Sequence, residues 1–224
     1  MQDKVRMWDK YVLFIDGEAI GIDKPAGLAV HPGSRTRESL EDYLKHFRFG
    51  FRREPLPVHR LDRDTSGCLL LARNPKAHKR LQRAFEDKKV TKTYVAVLDG
   101  VPEPAEGTVD LPLGKVSSAE QGWRMVHDPQ GRPSISHWRV AEVRDGRAVV
   151  IFSPETGRTH QLRVHAADGI GIPISGDPVY GSGKGPMLLH ALSIRVERDG
   201  KPPVEATAPL PPTFVSAGFG DVEL

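Results

Sequence analysis

The chain has 224 residues, with 32 Lys and Arg against 29 Asp and Glu, and a formal net charge of +3. Its 38% hydrophobic and 27% charged content suit a globular protein, and no apolar run approaches the roughly 20 residues that span a bilayer, so no membrane association is expected. The small basic surplus is shared by many proteins that never touch a polyanion and names no partner by itself.

The N-terminal stretch MQDKVRMWDKYVLF scatters charge throughout and has no signal-peptide core, which predicts a cytoplasmic protein. Residues 1–10 read as an N-terminal extension and 11–224 as one domain. Tyr11 to Ile22 is strand-like around an Asp16-Gly17 turn signal, and Leu28 to His31 follows as a short strand. Ser39 to Phe49 carries Leu40, Tyr43, Leu44 and Phe47 at helical spacing. Cys68 to Ala72 suits a buried strand; the lone Cys68 offers neither a disulfide nor a zinc cluster and reads as a packing residue. Asn74-Pro75 opens a helix ending near Lys89. Thr93–Leu98, Ser136–Val143, Ala148–Ser153 and Leu189–Val196 are further strands, Thr159–Ala167 a helix, and Pro202–Pro212 an extended segment. These elements predict an α+β fold: a mainly antiparallel mixed sheet flanked by helices, in a single domain.

Basic residues crowd two stretches. Lys76, Lys79, Arg80, Arg83, Lys88, Lys89 and Lys92 form one, preceded by Arg35, Arg37, Lys45, Arg48, Arg52, Arg53, Arg60 and Arg63. Taken alone they describe a solvated surface. The most informative string is His59-Arg60-Leu61-Asp62-Arg63-Asp64-Thr65-Ser66-Gly67, two carboxylates among two arginines and a histidine. Nearby positive charge would hold either aspartate ionised and able to act as base or nucleophile, although an Asp/Arg-stitched surface loop has the same composition.

That string resembles the signature loop of the RluA family of RNA pseudouridine synthases, in which the aspartate after Arg-Leu is catalytic. The resemblance maps that role onto Asp62, leaves Asp64 to brace the loop through backbone contacts, and makes Arg60 the residue that displaces the target base. Gly157-Arg158-Thr159-His160-Gln161-Leu162-Arg163 resembles a later family motif and implies that Arg163 is the salt-bridge partner orienting Asp62, a role a bidentate guanidinium suits. With the helix starting at Thr159, Arg163 would share a face with Thr159 and His160. Lys92-Thr93-Tyr94 resembles the Lys-x-Tyr strand whose tyrosine, here Tyr94, stacks on uracil. His59, Arg158 and Leu162 join Arg60 as implied substrate contacts. Asp23-Lys24-Pro25-Ala26-Gly27, Gly176-Asp177-Pro178-Val179-Tyr180-Gly181 and Leu189-His190-Ala191 extend the match along the chain. Lys24 and His31 are equally compatible with structural roles and phosphate contact. His160 reads as a hydrogen-bonding structural residue, since His160 and His165 are spaced for different helix faces and no metal site is expected.

The resemblance implies isomerisation of uridine in structured RNA, an rRNA or tRNA stem-loop, by a short monomeric form without an S4-type module. The reaction is redox-neutral and calls for no cofactor. Asp62 could attack C1′, add to the uracil ring or take the C2′ proton to form a glycal, the last being favoured. A paired-carboxylate glycosidase is disfavoured because neither aspartate has an environment that would keep it protonated. A non-catalytic RNA-binding module of the same fold is the remaining alternative.

Overall fold

The computed structural model describes residues 8–33, 36–118 and 122–223. Most of the expected N-terminal extension, and Arg35 of the basic stretch, lie outside them. Contacts divide the chain into two compact units: one up to Lys92 with Ala191–Pro209, the other Thr93–His190 with the segment from Leu210.

In the first unit the Asp16 side chain closes the opening hairpin, its Oδ1 accepting the amides of Glu18 and Ala19 at 2.8 Å each. Strands β1 (Val12–Ile15) and β2 (Ala19–Lys24) pair antiparallel across it. β2 then pairs antiparallel with β4 (Ser66–Ala72), in register from Ala19 opposite Ala72 to Lys24 opposite Gly67, and the short β3 (Leu56–Pro57) pairs with β4. Every residue of β4 is buried, as its continuous apolar run requires. Cys68 packs there, its thiol pushed up to about 12 by burial. Leu70, Ala77, Leu81, Val196 and Val204 belong to the core beneath.

Leu28–His31 forms no strand; only an isolated bridge from Ala29 to Ser39 is present. The Ser39–Phe49 prediction becomes a tight 3₁₀ helix over Leu40–Phe47, capped by Ser39 and Asp42. Trp8 packs on it, 4.5 Å from Tyr43 between ring centroids. Helix α1 (Pro75–Glu86) begins as expected, with Asn74 Oδ1 accepting the Ala77 amide at 2.9 Å. It stops before Lys89 because Lys88 turns to φ +56 and the Lys89 amide folds back onto the Ala84 carbonyl.

Strand β11 (Leu189–Arg198) enters this unit at Ala191 and pairs antiparallel with β12 (Lys201–Thr207). Pro202 and Pro203 make this stretch look extended rather than strand-forming in the sequence. The two prolines lie beside a register shift between Val196 and Arg198, where residues without an N–H are tolerated.

The second unit is built on the antiparallel order β5-β10-β9-β6, formed by Val90–Leu98 from Thr93 onward, Arg147–Pro154, Ile135–Arg144 and Glu106–Asp110. A separate hairpin joins β7 (Leu113–Ser118) to β8 (Gly122–His127). β6, β7 and β8 were not anticipated. Their residues are exposed or half-buried except Val109 and Leu113, so little apolar alternation marks them. The core gathers Ala96, Leu98, Val150, Phe152, Leu162, Ile174 and Met187. The predicted Thr159–Ala167 helix is shorter: α2 covers Gln161–Val164, widens to a π turn over His165–Ile170, and cannot begin earlier because His160 has φ +53. Arg163 therefore shares no helical face with Thr159 or His160. A last helix, α3 (Pro212–Ser216), buries Phe214. The α+β class with dominant antiparallel pairing stands. No helix among the described residues is long and apolar enough to cross a membrane.

Two features of the first unit decide how the loop before β4 is held. Gly67 has φ +105, and a Cβ there would sit 2.2 Å from the Ala191 carbonyl oxygen. His59 accepts the Leu70 amide on Nε2 at 3.0 Å and stacks on Phe85 with centroids 4.9 Å apart. That contact requires a neutral ring protonated on Nδ1. Burial, reinforced by the Lys92 charge and only partly opposed by a backbone hydrogen bond at Arg60, pulls His59 down to about 3.

Gly67→Ala should lower unfolding free energy by ~2–4 kcal/mol through clash and strained φ. Gly17→Ala, where a Cβ meets nothing within 4 Å, should stay within about 0.5 kcal/mol; urea titration of both checks this. The unfolded chain protonates His59 near 6.5 while the folded one does so only near 3. The stability of the neutral ring is thus present above pH 6.5 and lost as pH falls toward 3, at up to about 1.4 kcal/mol per pH unit. In urea midpoints measured between pH 7 and 4.5, His59→Gln should show a correspondingly flatter decline than the unsubstituted protein.

Candidate active site

The loop bearing Asp62 is set on a buried cation. Lys24, at the end of β2, is 0% exposed, and its Nζ donates to the carbonyls of Pro25 at 2.8 Å, Leu28 at 2.8 Å and Arg63 at 3.2 Å. These three acceptors match the three protons of an ammonium. The Gly27 amide also donates to the Arg63 carbonyl at 2.8 Å, so the Lys-Pro-Ala-Gly turn and the Asp62 loop share one anchor. Burial lowers Lys24 to about 8, while the charges of Asp64, Asp62 and Asp23 resist that fall. Of the two roles open to Lys24, this burial selects the structural one. His31 is exposed and paired with Glu41 at 2.6 Å.

Above this anchor Leu61 is buried, Asp62 is half-buried and Arg60 is exposed. The Asp62 carbonyl accepts the Thr65 amide at 3.2 Å, closing a turn around the carboxylate. Asp64 meets the Arg63 guanidinium, Nε to Oδ1 at 3.0 Å and Nη2 to Oδ2 at 3.2 Å. Its brace is thus a side-chain contact where backbone contacts were expected. The first unit therefore gathers His59, Arg60 and Asp62 on one short segment whose two sides are held, by His59 against β4 and by Lys24 beneath Arg63.

The second unit carries the other expected site residues. Tyr94 lies on β5 opposite Phe152, half-buried, and packs with Leu162 against the same core. The turn before α2 is stitched by Gln161, whose Oε1 accepts Thr156 Oγ1 at 2.8 Å and the Arg158 amide at 2.9 Å. Its Nε2 donates to the Ile135 carbonyl at 3.0 Å and Ser136 Oγ at 2.9 Å. Arg158 Nε reaches the Pro133 carbonyl at 3.1 Å. His160 meets the Tyr180 hydroxyl, and His165 meets Ser136 Oγ and the Leu111 carbonyl.

Arg163 is 3% exposed and forks onto Asp177, Nε to Oδ2 at 2.7 Å and Nη2 to Oδ1 at 2.8 Å. Burial pushes the Asp177 carboxyl upward, but the Arg163 guanidinium and the amides of Val179 and Tyr180 outweigh it and hold the group below the ordinary carboxylate range. In the sequence Asp177 stands within the Gly-Asp-Pro-Val-Tyr-Gly string with nothing to indicate its partner. Its pairing with a residue 14 positions away is created by the turn at Gly176, where φ is +74 and a Cβ would meet the Pro186 carbonyl. An isolated Gly-Asp pair in the sequence carries no trace of that partner.

With this geometry in place, comparison with known proteins is specific. Residues 18–168 match the family model for RNA pseudouridylate synthase. An uncharacterized RNA pseudouridine synthase of Zymomonas mobilis is 56% identical, over 94% of this chain and 98% of its own. The ribosomal large subunit pseudouridine synthase D of the same organism is 36% identical, over 81% of this chain and 58% of its own. Among solved structures, human RNA pseudouridylate synthase domain containing 4 superposes with a TM-score of 0.81 at 25% identity, covering 99% of this chain and 97% of that one. The chain belongs to the RluA-type RNA pseudouridylate synthases, isomerases that convert uridine in RNA to pseudouridine.

Proposed function

We propose that this enzyme acts on specific uridines of structured RNA, in rRNA or tRNA stem-loops, with Asp62 as its catalytic carboxylate. The observation that carries the assignment is the buried Lys24 ammonium under the loop: it fixes the backbone immediately after Asp62 at Arg63 and ties it to the Lys-Pro-Ala-Gly turn. A carboxylate on so constrained a segment has little left to organise when substrate arrives. Large-subunit rRNA is a reasonable target because a relative named for the ribosomal large subunit is 36% identical.

In this reading exposed Arg60 enters the stack as the uridine leaves it, and Tyr94 offers its ring to the flipped base. Arg158 and Leu162 complete the substrate contacts, and His59 contributes by holding the Arg60 backbone. Arg163 orients the Asp62 carboxylate. On the favoured route Asp62 takes the C2′ proton as the C1′–N1 bond breaks and its electron pair stays with uracil. The uracil turns, C5 bonds to C1′ as the proton returns to C2′, and the C5 proton is then lost while N1 gains one.

Release of tritium from RNA labelled at C5 of uridine measures the reaction. Asp62→Asn should slow it by on the order of 10²–10⁴-fold with RNA affinity retained; unchanged release would sink the assignment, and a protein that only binds RNA releases none. Tyr94→Phe should let rotated or partly processed base accumulate in a single turnover. Full single-turnover activity would remove the phenol from C5 deprotonation.

A further inference from the structure

We infer that Asp177 and Tyr180 are positioning residues that set the Arg163 guanidinium for the reaction, an inference that rests on the role proposed for Arg163. The case begins with donor geometry. Asp177 takes the Nε and one Nη2 proton of Arg163 at 2.7 and 2.8 Å. Any further acceptor must therefore be met from Nη1 and the second Nη2 proton. With two parallel bonds to a carboxylate that is 0% exposed, the guanidinium plane is fixed in direction as well as place.

Tyr180 fixes it from another side. Its ring centroid lies 5.2 Å from the Arg163 guanidinium carbon, and its amide donates to Asp177 Oδ1 at 3.0 Å beside the Val179 amide at 2.8 Å. The hydroxyl is committed as well. It accepts the Met125 amide at 3.0 Å, donates to the Met125 carbonyl at 3.1 Å and meets His160 Nδ1 at 2.9 Å. With its one proton on Met125, the histidine contact requires the proton on His160 Nδ1. Met125 lies in β8, so the hydroxyl ties the β7–β8 hairpin to the residue that covers Arg163. A carboxylate needed only to neutralise a buried arginine would not require this second layer.

Asp177→Asn isolates the contact. Oδ1 receives Nη2 and both turn amides, so an asparagine oxygen preserves them, while the new NH₂ opposes the Nε proton. In the tritium-release assay, run well below the melting midpoint, kcat should fall on the order of 100-fold with KM for RNA near that of the unsubstituted enzyme; the melting midpoint falls too, because the buried guanidinium loses its counter-charge. The Arg163 Nε–H resonance should shift and exchange faster with water. Retained kcat overturns the inference, and if Asp62→Asn is inactive beside it the proposed function stands. A loss confined to KM or melting midpoint assigns Asp177 a folding role only and also overturns it. An unsubstituted enzyme that releases no tritium removes the proposed function and this inference together. Should Asp177→Asn melt too low to assay, Tyr180→Leu leaves the Asp177 turn intact and removes the ring; kcat should drop about tenfold, and an unchanged kcat overturns the inference.

Discussion

The ammonium of Lys24 is wholly buried, and the local structure of the first unit around Asp62 follows from satisfying it. A charge withdrawn from water is tolerated only when its protons are met and opposite charge lies near. Here the protons go to carbonyls from two separate segments, and the compensating charge comes from Asp23, Asp62 and Asp64. The lysine thus does two things at once. It joins the turn after β2 to the loop before β4, and it places positive charge under the aspartates. Gly67 belongs to the same solution, since the chain leaves the loop for β4 so close to the Ala191 carbonyl that no side chain fits.

The second unit meets the same constraint differently. Arg163 is buried with its counter-charge in direct contact, in the fork–fork geometry where an arginine is most strongly directed. The turn that brings Asp177 there also feeds it two amides, so the carboxylate stays ionised despite burial. Gln161 shows the principle without charge: all its side-chain contacts go to β9 or to the turn ahead of α2. Each unit therefore presents the proposed site residues on backbone already fixed by buried polar groups, the preorganisation on which catalysis depends.

Legibility in the sequence followed burial pattern. β4, with apolar residues on both faces, and α1, with an N-cap, a first-turn proline and an apolar stripe, were readable because their signals are local. β6, β7 and β8 carry no such signal because all their residues but Val109 and Leu113 are exposed or half-buried, and strand identity there comes from pairing rather than composition. The helix predicted from Thr159 failed at its start for a related reason. The helical spacing is present, but His160 is held in a left-handed conformation beside the Tyr180 hydroxyl, a constraint arriving from 20 residues away.

By itself the sequence determined the α+β class, the family, and which segments carry the loop of Asp62, the strand of Tyr94 and the motif of Arg163. Those are contiguous strings, and their chemistry is written in residue order. Only the tertiary structure decided that Lys24 is an internal anchor rather than a phosphate ligand, that His59 is a neutral strut, and that Asp177 is the carboxylate forked onto Arg163. Each of these depends on whether a polar group is surrounded by protein or water and on which distant acceptor reaches it. Residue order alone does not encode that environment locally; chain folding creates it.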